Sequence, residues 1–521
     1  MQPSQGVSPS SSVPRNIDDT LAALKDAIWS RRPILGDIMR KHGDQNILDY
    51  AMDFLDVNPS PLLDARKEEL ISVIEELLMQ RLGKDVARGA ADQLRKLALV
   101  STIDHHGPVQ HPFFVNANII TALPAVERNL DLPYLIVLSF ASVSLNNADA
   151  YARGITFHGG MNGTGNLLKL PIMPDKLKMG VVYATRAMTR EDLVRAEEEL
   201  TKKEQKNEIA HGRGEKLRAI MEEHFGNDDV LNAPDLNAQI TKITHSIWPR
   251  FFHRAHQTSG RPVPGLIYLD IETIVTEMLL RLHLTDASSL MYKILFDPAY
   301  RALVVEHFDG IPGAFSIEKQ WGTYMFWGLD DRQHRLRLSL SADNALCTHD
   351  HSICIPLQPE AIAQALRDKK IYPSMMLCYL MVSFYYGMKC LGGFSQVHDL
   401  TLMKGAWSKV LESQGLKDEV EALVPVQTRE LGGDGMALSY LPTPHHDMVP
   451  ATGFDMMLEE EDTSLEHFLM LSRKVTLQEI MNPMLPDIYK VLYPNDERDQ
   501  TLATVHPEWI FKETGLSEKL L

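Results

Sequence analysis

Between Leu97 and Ile103 the spacing of apolar residues changes, and that change decides what the chain can become. Upstream, from Ile17 to about Leu97, apolar residues recur at helical intervals. Leu70, Ile71, Ile74, Leu77 and Leu78 share one stripe with Glu and Lys opposite, and Asn58-Pro59 and Pro61 mark the turn before it. Leu97-Ala98-Leu99-Val100-Ser101-Thr102-Ile103 is instead a short apolar run without helical spacing, which predicts a buried strand. It ends in Asp104-His105-His106-Gly107-Pro108-Val109-Gln110-His111-Pro112, where Gly and two Pro predict a loop. Phe113–Arg128 is helical again, and Tyr134-Leu135-Ile136-Val137-Leu138 is a second apolar run. Strand, loop, helix and strand make a βαβ unit, which implies parallel pairing. Ligands of such sheets sit at the carboxyl ends of the strands, where the His-rich loop falls.

The remaining chain extends this pattern. Gly265–Leu269 predicts a strand, followed by a helix from about Glu272 to Leu284. Gly154–Tyr183 holds short β-like runs around Gly159-Gly160 and Gly163-Thr164-Gly165, and Thr323–Trp327 with Arg335–Leu340 predicts a hairpin. Thr189–Gly226 is a long charged helical stretch, and Pro359–Arg367 and Pro373–Lys389 are helical, the latter broken by Gly392-Gly393. The expected fold class is α/β, a Rossmann-like parallel sheet core with helical insertions and an N-terminal helical domain. Its boundaries are a disordered tail over 1–15, a helical domain over 16–95, core segments over 96–188 and 261–444 around a helical insertion at 189–260, and a C-terminal helical segment over 445–521.

Composition narrows the function classes. With 521 residues, 44% hydrophobic, the chain can bury a large core. A formal net charge of -17 repels nucleic acid and anionic lipid, so no nucleic acid and no membrane partner is expected. No stretch reaches the roughly 18 apolar residues that span a bilayer. Four cysteines and no apolar leader point to a reducing, cytoplasmic setting. The expected partner is a small-molecule substrate, with homo-oligomer assembly left open.

Asp104, His105, His106 and His111 are the candidate catalytic residues. Three imidazoles and a carboxylate could hold a divalent metal as cofactor, or supply a general base with an orienting acid. Asn116 and Asn118 follow in the first turns of the next helix, whose unpaired N–H groups favour an anion. Ser395 and Gln396, after Gly392-Gly393, stand at another helix start, and Asp270 and Glu272 close the Leu266–Leu269 run. These six are candidate binding residues, each with ordinary capping as the alternative. Cys347-Thr348-His349-Asp350-His351-Ser352-Ile353-Cys354 is dense in Cys and His but lacks zinc-finger spacing. His445-His446-Asp447 reads as an exposed loop. Gly159–Asn166 is neither a Walker loop nor a Rossmann fingerprint.

Two resemblances follow from these residues. Asp104-His105-His106 is similar to the tripeptide of the Asp-His-His phosphoesterases, which use two manganese ions; their upstream His and Asp-x-Asp set has no counterpart here. The order of Ser101–Gly107 with His111-Pro112, the helical stretch Thr189–Gly226, and Tyr372-Pro373-Ser374 through Gly392-Gly393-Phe394-Ser395-Gln396 resembles bacillithiol synthase. That likeness, to a family that adds cysteine to an amino-sugar malate, covers three short islands and implies a Rossmann-like core split by helical insertions. The family's Gln-Gln pair and Asp-His-Asp segment are absent, so it carries over no catalytic residue. The resulting expectation is an enzyme of ligase or transferase style acting on a small polar or anionic metabolite. The alternatives are a metal-dependent hydrolase on the same histidines and a non-catalytic interaction protein.

Overall fold

The computed structural model describes residues 16–58, 60–160, 166–252, 262–443, 448–459 and 464–520. The tail over 1–15, the His445-His446-Asp447 segment and most of the Gly159–Asn166 loop lie outside them. The chain is mixed α/β, built around a parallel four-stranded sheet. Its strands are β1 (Leu99–Ser101), β2 (Tyr134–Ser139), β3 (Gly265–Asp270) and β4 (Lys389–Leu391), in the order β4-β1-β2-β3. Ser101 pairs with Val137, Val137 with Tyr268, and Val100 with Cys390. Beyond β1, a further parallel bridge joins His105 to Phe140.

Period-two alternation sorts the strand side chains onto two faces. Leu135, Val137, Leu266, Tyr268 and Leu391 enter one hydrophobic core, and Val100, Ile136, Leu138, Ile267, Leu269 and Cys390 enter the other. Both faces are covered by helices, which is why β1, β2 and β3 read as largely continuous apolar runs rather than alternating ones. The second face is covered by α1 (Pro61–Arg81) and α2 (Lys84–Lys96), whose Leu70, Ile71, Ile74, Leu77 and Leu78 are buried. The first face is covered by α3 (Pro112–Glu127), which joins β1 to β2. Pro112 starts it, where its missing N–H costs nothing. Val115, Ile119, Ile120 and Leu123 are fully buried, as expected of a helix apolar on all sides.

Helix α4 (Ile271–Met278) follows β3 directly and runs on as a π-helical turn to His283. The stretch Pro373–Lys389 divides. Helix Met375–Tyr379 passes into a π-helical turn ending at Tyr385, and Lys389–Leu391 becomes β4, the edge strand. Helix α5 (Gln396–Ser413) begins just after β4. Thr189–Gly226 does not project as one rod: Arg190–Gln205 and Arg213–His224 pack on each other. Strands Gly154–His158 and Leu167–Pro171 form a hairpin, as do Phe326–Leu329 and Arg335–Arg337. Cys347 and Cys354 are joined in a disulfide, whereas Cys378 and Cys390 are buried thiols. No helix among the described residues is long and apolar enough to cross a membrane.

Candidate functional site

Strand order turns about at β1. The chain goes β1, β2, β3 toward one edge and returns to place β4 on the other side of β1. Loops leaving β1 and β4 therefore part in opposite directions, and the crevice between them is where open α/β sheets bind ligands. A cavity of about 560 Å3 occupies it, lined by Thr102, Ile103 and His105 from the β1 loop and by Gly393–Gln396 from the β4 loop. The two loops are tied together. The Thr102 hydroxyl donates to the Leu391 carbonyl at 3.0 Å, and the Gln396 amide donates to the Thr102 oxygen.

Four of the expected residues reach this cavity: His105, His111, Ser395 and Gln396. His105 Nδ1 lies 3.1 Å from Asn147 Oδ1. Asp149 stands between the two histidines, 3.7 Å from His105 Nδ1 and 3.9 Å from His111 Nε2. Burial lowers the pKa of His105, and that of His111 to about 4, so both rings are neutral near pH 7 and can accept a proton or a hydrogen bond. His111 Nδ1 is buried without a hydrogen-bond partner.

The other six lie outside the lining and hold the loops in place. Asp104 is fully buried, accepts from Asn118 Nδ2 at 2.8 Å, and has its pKa raised by burial. His106 is fully buried between Ser139 Oγ (2.7 Å) and the Asn237 carbonyl (3.3 Å), and burial pushes its pKa down to about 4. Asn116 accepts from the Leu438 and Ser439 N–H groups at 2.7 and 3.2 Å. Asp270 pairs with Arg81 at 2.7 Å inside the protein. Glu272 accepts from the N–H groups of Ala141 and Ser142 at 2.8 and 2.9 Å, fixing the loop after β2, and burial raises its pKa to about 7.

Sequence reasoning did not select the carboxylates. Asp149, Asp399, Asp434 and Asp487 all line the cavity, and no Lys or Arg is among the described residues that do. Asp399 is 7% exposed and its Oδ1 has no hydrogen-bond partner. Burial pushes its pKa up to about 6, with Arg32 opposing from outside the lining. Asp434 accepts from the Phe394 N–H at 3.3 Å, and burial raises its pKa to about 7. A Cβ on Gly393 would come within 2.5 Å of Asp434 Oδ2, so only glycine lets that carboxyl reach the β4 loop. The available signal was Gly432-Gly433-Asp434-Gly435, where glycines bracket one acid. Phe113, Phe114, Phe140, Met375, Met484 and Val491 complete apolar walls.

His105, His111 and Asp149 do not close on a common point as metal ligands would. Among the described residues, the His, Cys, Asp and Glu group whose ligand atoms all lie within 4.8 Å is Cys347, His351 and Cys354. A second cleft, about 660 Å3, opens between helix Pro33–His42 and Val426–Glu430, beside edge strand β4. Its charges offset one another, Lys41, Lys404 and Arg429 facing Asp37, Asp53, Asp56 and Glu430. Comparison with protein-family models and with curated proteins gives no match.

Proposed function

We propose that this protein is an enzyme of group-transfer type acting on a small polar metabolite that carries an amine, bound where the loops after β1 and β4 meet. The observation that carries this reading is one cavity at the turn-about of strand order, walled by four aspartates and no cationic side chain among its described residues, with a buried Asp399 oxygen left unpartnered. An ammonium supplies the missing donors and charge. An anion, which the helix starts at Pro112 and Gln396 would favour, has no cationic side chain to meet it there.

The chemistry follows from the acid–base groups. Asp434, with a pKa of about 7, is placed to take a proton from the bound ammonium and free its lone pair as a nucleophile. Asp399 holds the charge of the amine, and neutral His105 and His111 accept hydrogen bonds from the remaining polar groups. Asp104, His106, Asn118 and Glu272 are positioning residues. In this proposal the sheet is the core of a Rossmann-like fold, with the ligand at its switch point.

The test is thermal-shift and calorimetric titration with a panel of mono- and diamines, and the matching carboxylic acids as controls. Amines should raise the melting temperature, since a ligand bound only to the folded state stabilises it by mass action. Affinity should rise with pH through 6 to 7, as Asp399 and Asp434 ionise. Asp399→Asn should weaken binding at least tenfold. Binding of the acids alone, or amine binding indifferent to Asp399→Asn, overturns the reading.

A further inference from the structure

The hairpin at residues 345–356 carries chemistry that the cavity does not use. Strands Ala345–Cys347 and Cys354–Pro356 pair antiparallel with Cys347 directly opposite Cys354. Between them, the His351 backbone is left-handed at φ 56°, and its Nδ1 lies 3.5 Å from Cys354 Sγ. The ligand atoms of Cys347, His351 and Cys354 all fall within 4.8 Å of one another. Cys347 is buried, whereas His351 and Cys354 are exposed, so the group opens to solvent on one side.

The hairpin tip is held without the sulfurs. Thr348 Oγ donates to Asp350 Oδ1 at 2.7 Å, and the Ser352 N–H and hydroxyl donate to the same oxygen at 3.1 and 2.8 Å. Backbone bonds run from Thr348 N–H to the Ile353 carbonyl (3.0 Å) and from His351 N–H to the Thr348 carbonyl (3.0 Å). The backbone at His351 is therefore held by bonds that do not involve the disulfide.

We propose that Cys347, His351 and Cys354 form a redox-gated site for a thiophilic divalent cation such as Zn2+. In the oxidised chain the sulfurs are bonded to each other and cannot coordinate. A thiol reductant opens the site: two thiol molecules give two electrons and two protons, the protein S–S bond breaks into two S–H groups, and the reductant becomes its own disulfide. The cation then displaces both thiol protons and is held by two thiolates and the neutral imidazole. Zn–S bonds of ~2.3 Å at a tetrahedral angle need the sulfurs about 3.8 Å apart, within reach of a side-chain rotation at exposed Cys354. Three protein ligands leave a fourth position open to water or another donor, the pattern of an exchangeable site rather than a closed structural one.

Co2+ is the probe. The full chain is reduced with a phosphine, which water converts to the phosphine oxide, then desalted without air and titrated. The reduced chain should bind one Co2+ with a thiolate charge-transfer band, lost on adding Zn2+, and the oxidised chain should show no band. Cys354→Ser should abolish the band, and His351→Ala should weaken binding at least tenfold while leaving the fold intact, since both side chains are exposed. Cys378→Ser, a change at a buried thiol, should leave the band unchanged. A reduced chain without the band, a band that survives Cys354→Ser, or equal binding by oxidised and reduced chains overturns the proposal.

Discussion

Burial of the cavity-lining Asp434 carboxyl makes its ionisation costly to the fold. Its pKa is about 7 in the folded chain, against about 4 for an unfolded carboxyl. Between those values the folded chain keeps a proton that the unfolded chain has released, so stability falls as pH rises through that window. Asp434→Asn removes that dependence. The variant should match the parent below pH ~4 and exceed it by roughly 1–3 kcal/mol at pH 8, a range discounted for the partial exposure of the group. Urea unfolding at several pH values measures the difference, and a constant difference across pH would refute the assignment. Asp434 and Asp399 were the residues hardest to find by reading. A lone acid gives no local sign of burial, and only packing makes its ionisation late. The loops that bring His105, His111, Ser395 and Gln396 to the cavity were legible because Gly and Pro punctuate them. Asn116, read as a ligand contact, turns out to bond backbone.

At the scale of elements, the loops at the cavity are held by neighbours rather than by their own bonds. The strap over residues 432–439 lies along α3 and carries Asp434 to the cavity. At Gly433, φ 94°, an added Cβ would lie 3.0 Å from the Ala117 Cα, and Asn116 clamps the strap at Leu438 and Ser439. Asn116→Ala leaves two inward N–H groups without their acceptor, which costs about 1–3 kcal/mol. Hydrogen exchange should accelerate across 434–440 while β2 and β3 stay protected; uniform acceleration would instead mean global loosening. Three of the four sheet strands were evident as apolar runs bounded by turns. Lys389–Leu391 was not, because it continues an apolar helix and is defined only by pairing with Leu99–Ser101. Conversely, the break between Arg190–Gln205 and Arg213–His224 escaped notice because charged residues continue across it.

Across the whole molecule, helices early and late in the described chain meet. Helix Leu485–Leu492 packs on Ile17–Arg31, with Arg31 donating to the Leu492 carbonyl at 2.8 Å and resting on the Tyr493 ring. Helix Leu465–Lys474 packs on Ile47–Met52 and on α3, joining the core under one face of the sheet. Met484, Asp487 and Val491 from the same region line the cavity. A chain ending at residue 464 should therefore lose both its cooperative thermal transition and any amine-dependent shift. A truncated chain that unfolds at the parent temperature would show these helices to be dispensable.

The letters alone determined the α/β class, the parallel pairing of the first strands and the place of the His-rich loop, because hydrophobic period and turn residues act over a few neighbouring positions. Which carboxylates face that loop, which histidines are sealed inside, and where the edge strand pairs were decided only in three dimensions. Those properties depend on burial and on contacts between segments far apart in the chain, and no short stretch of sequence contains them.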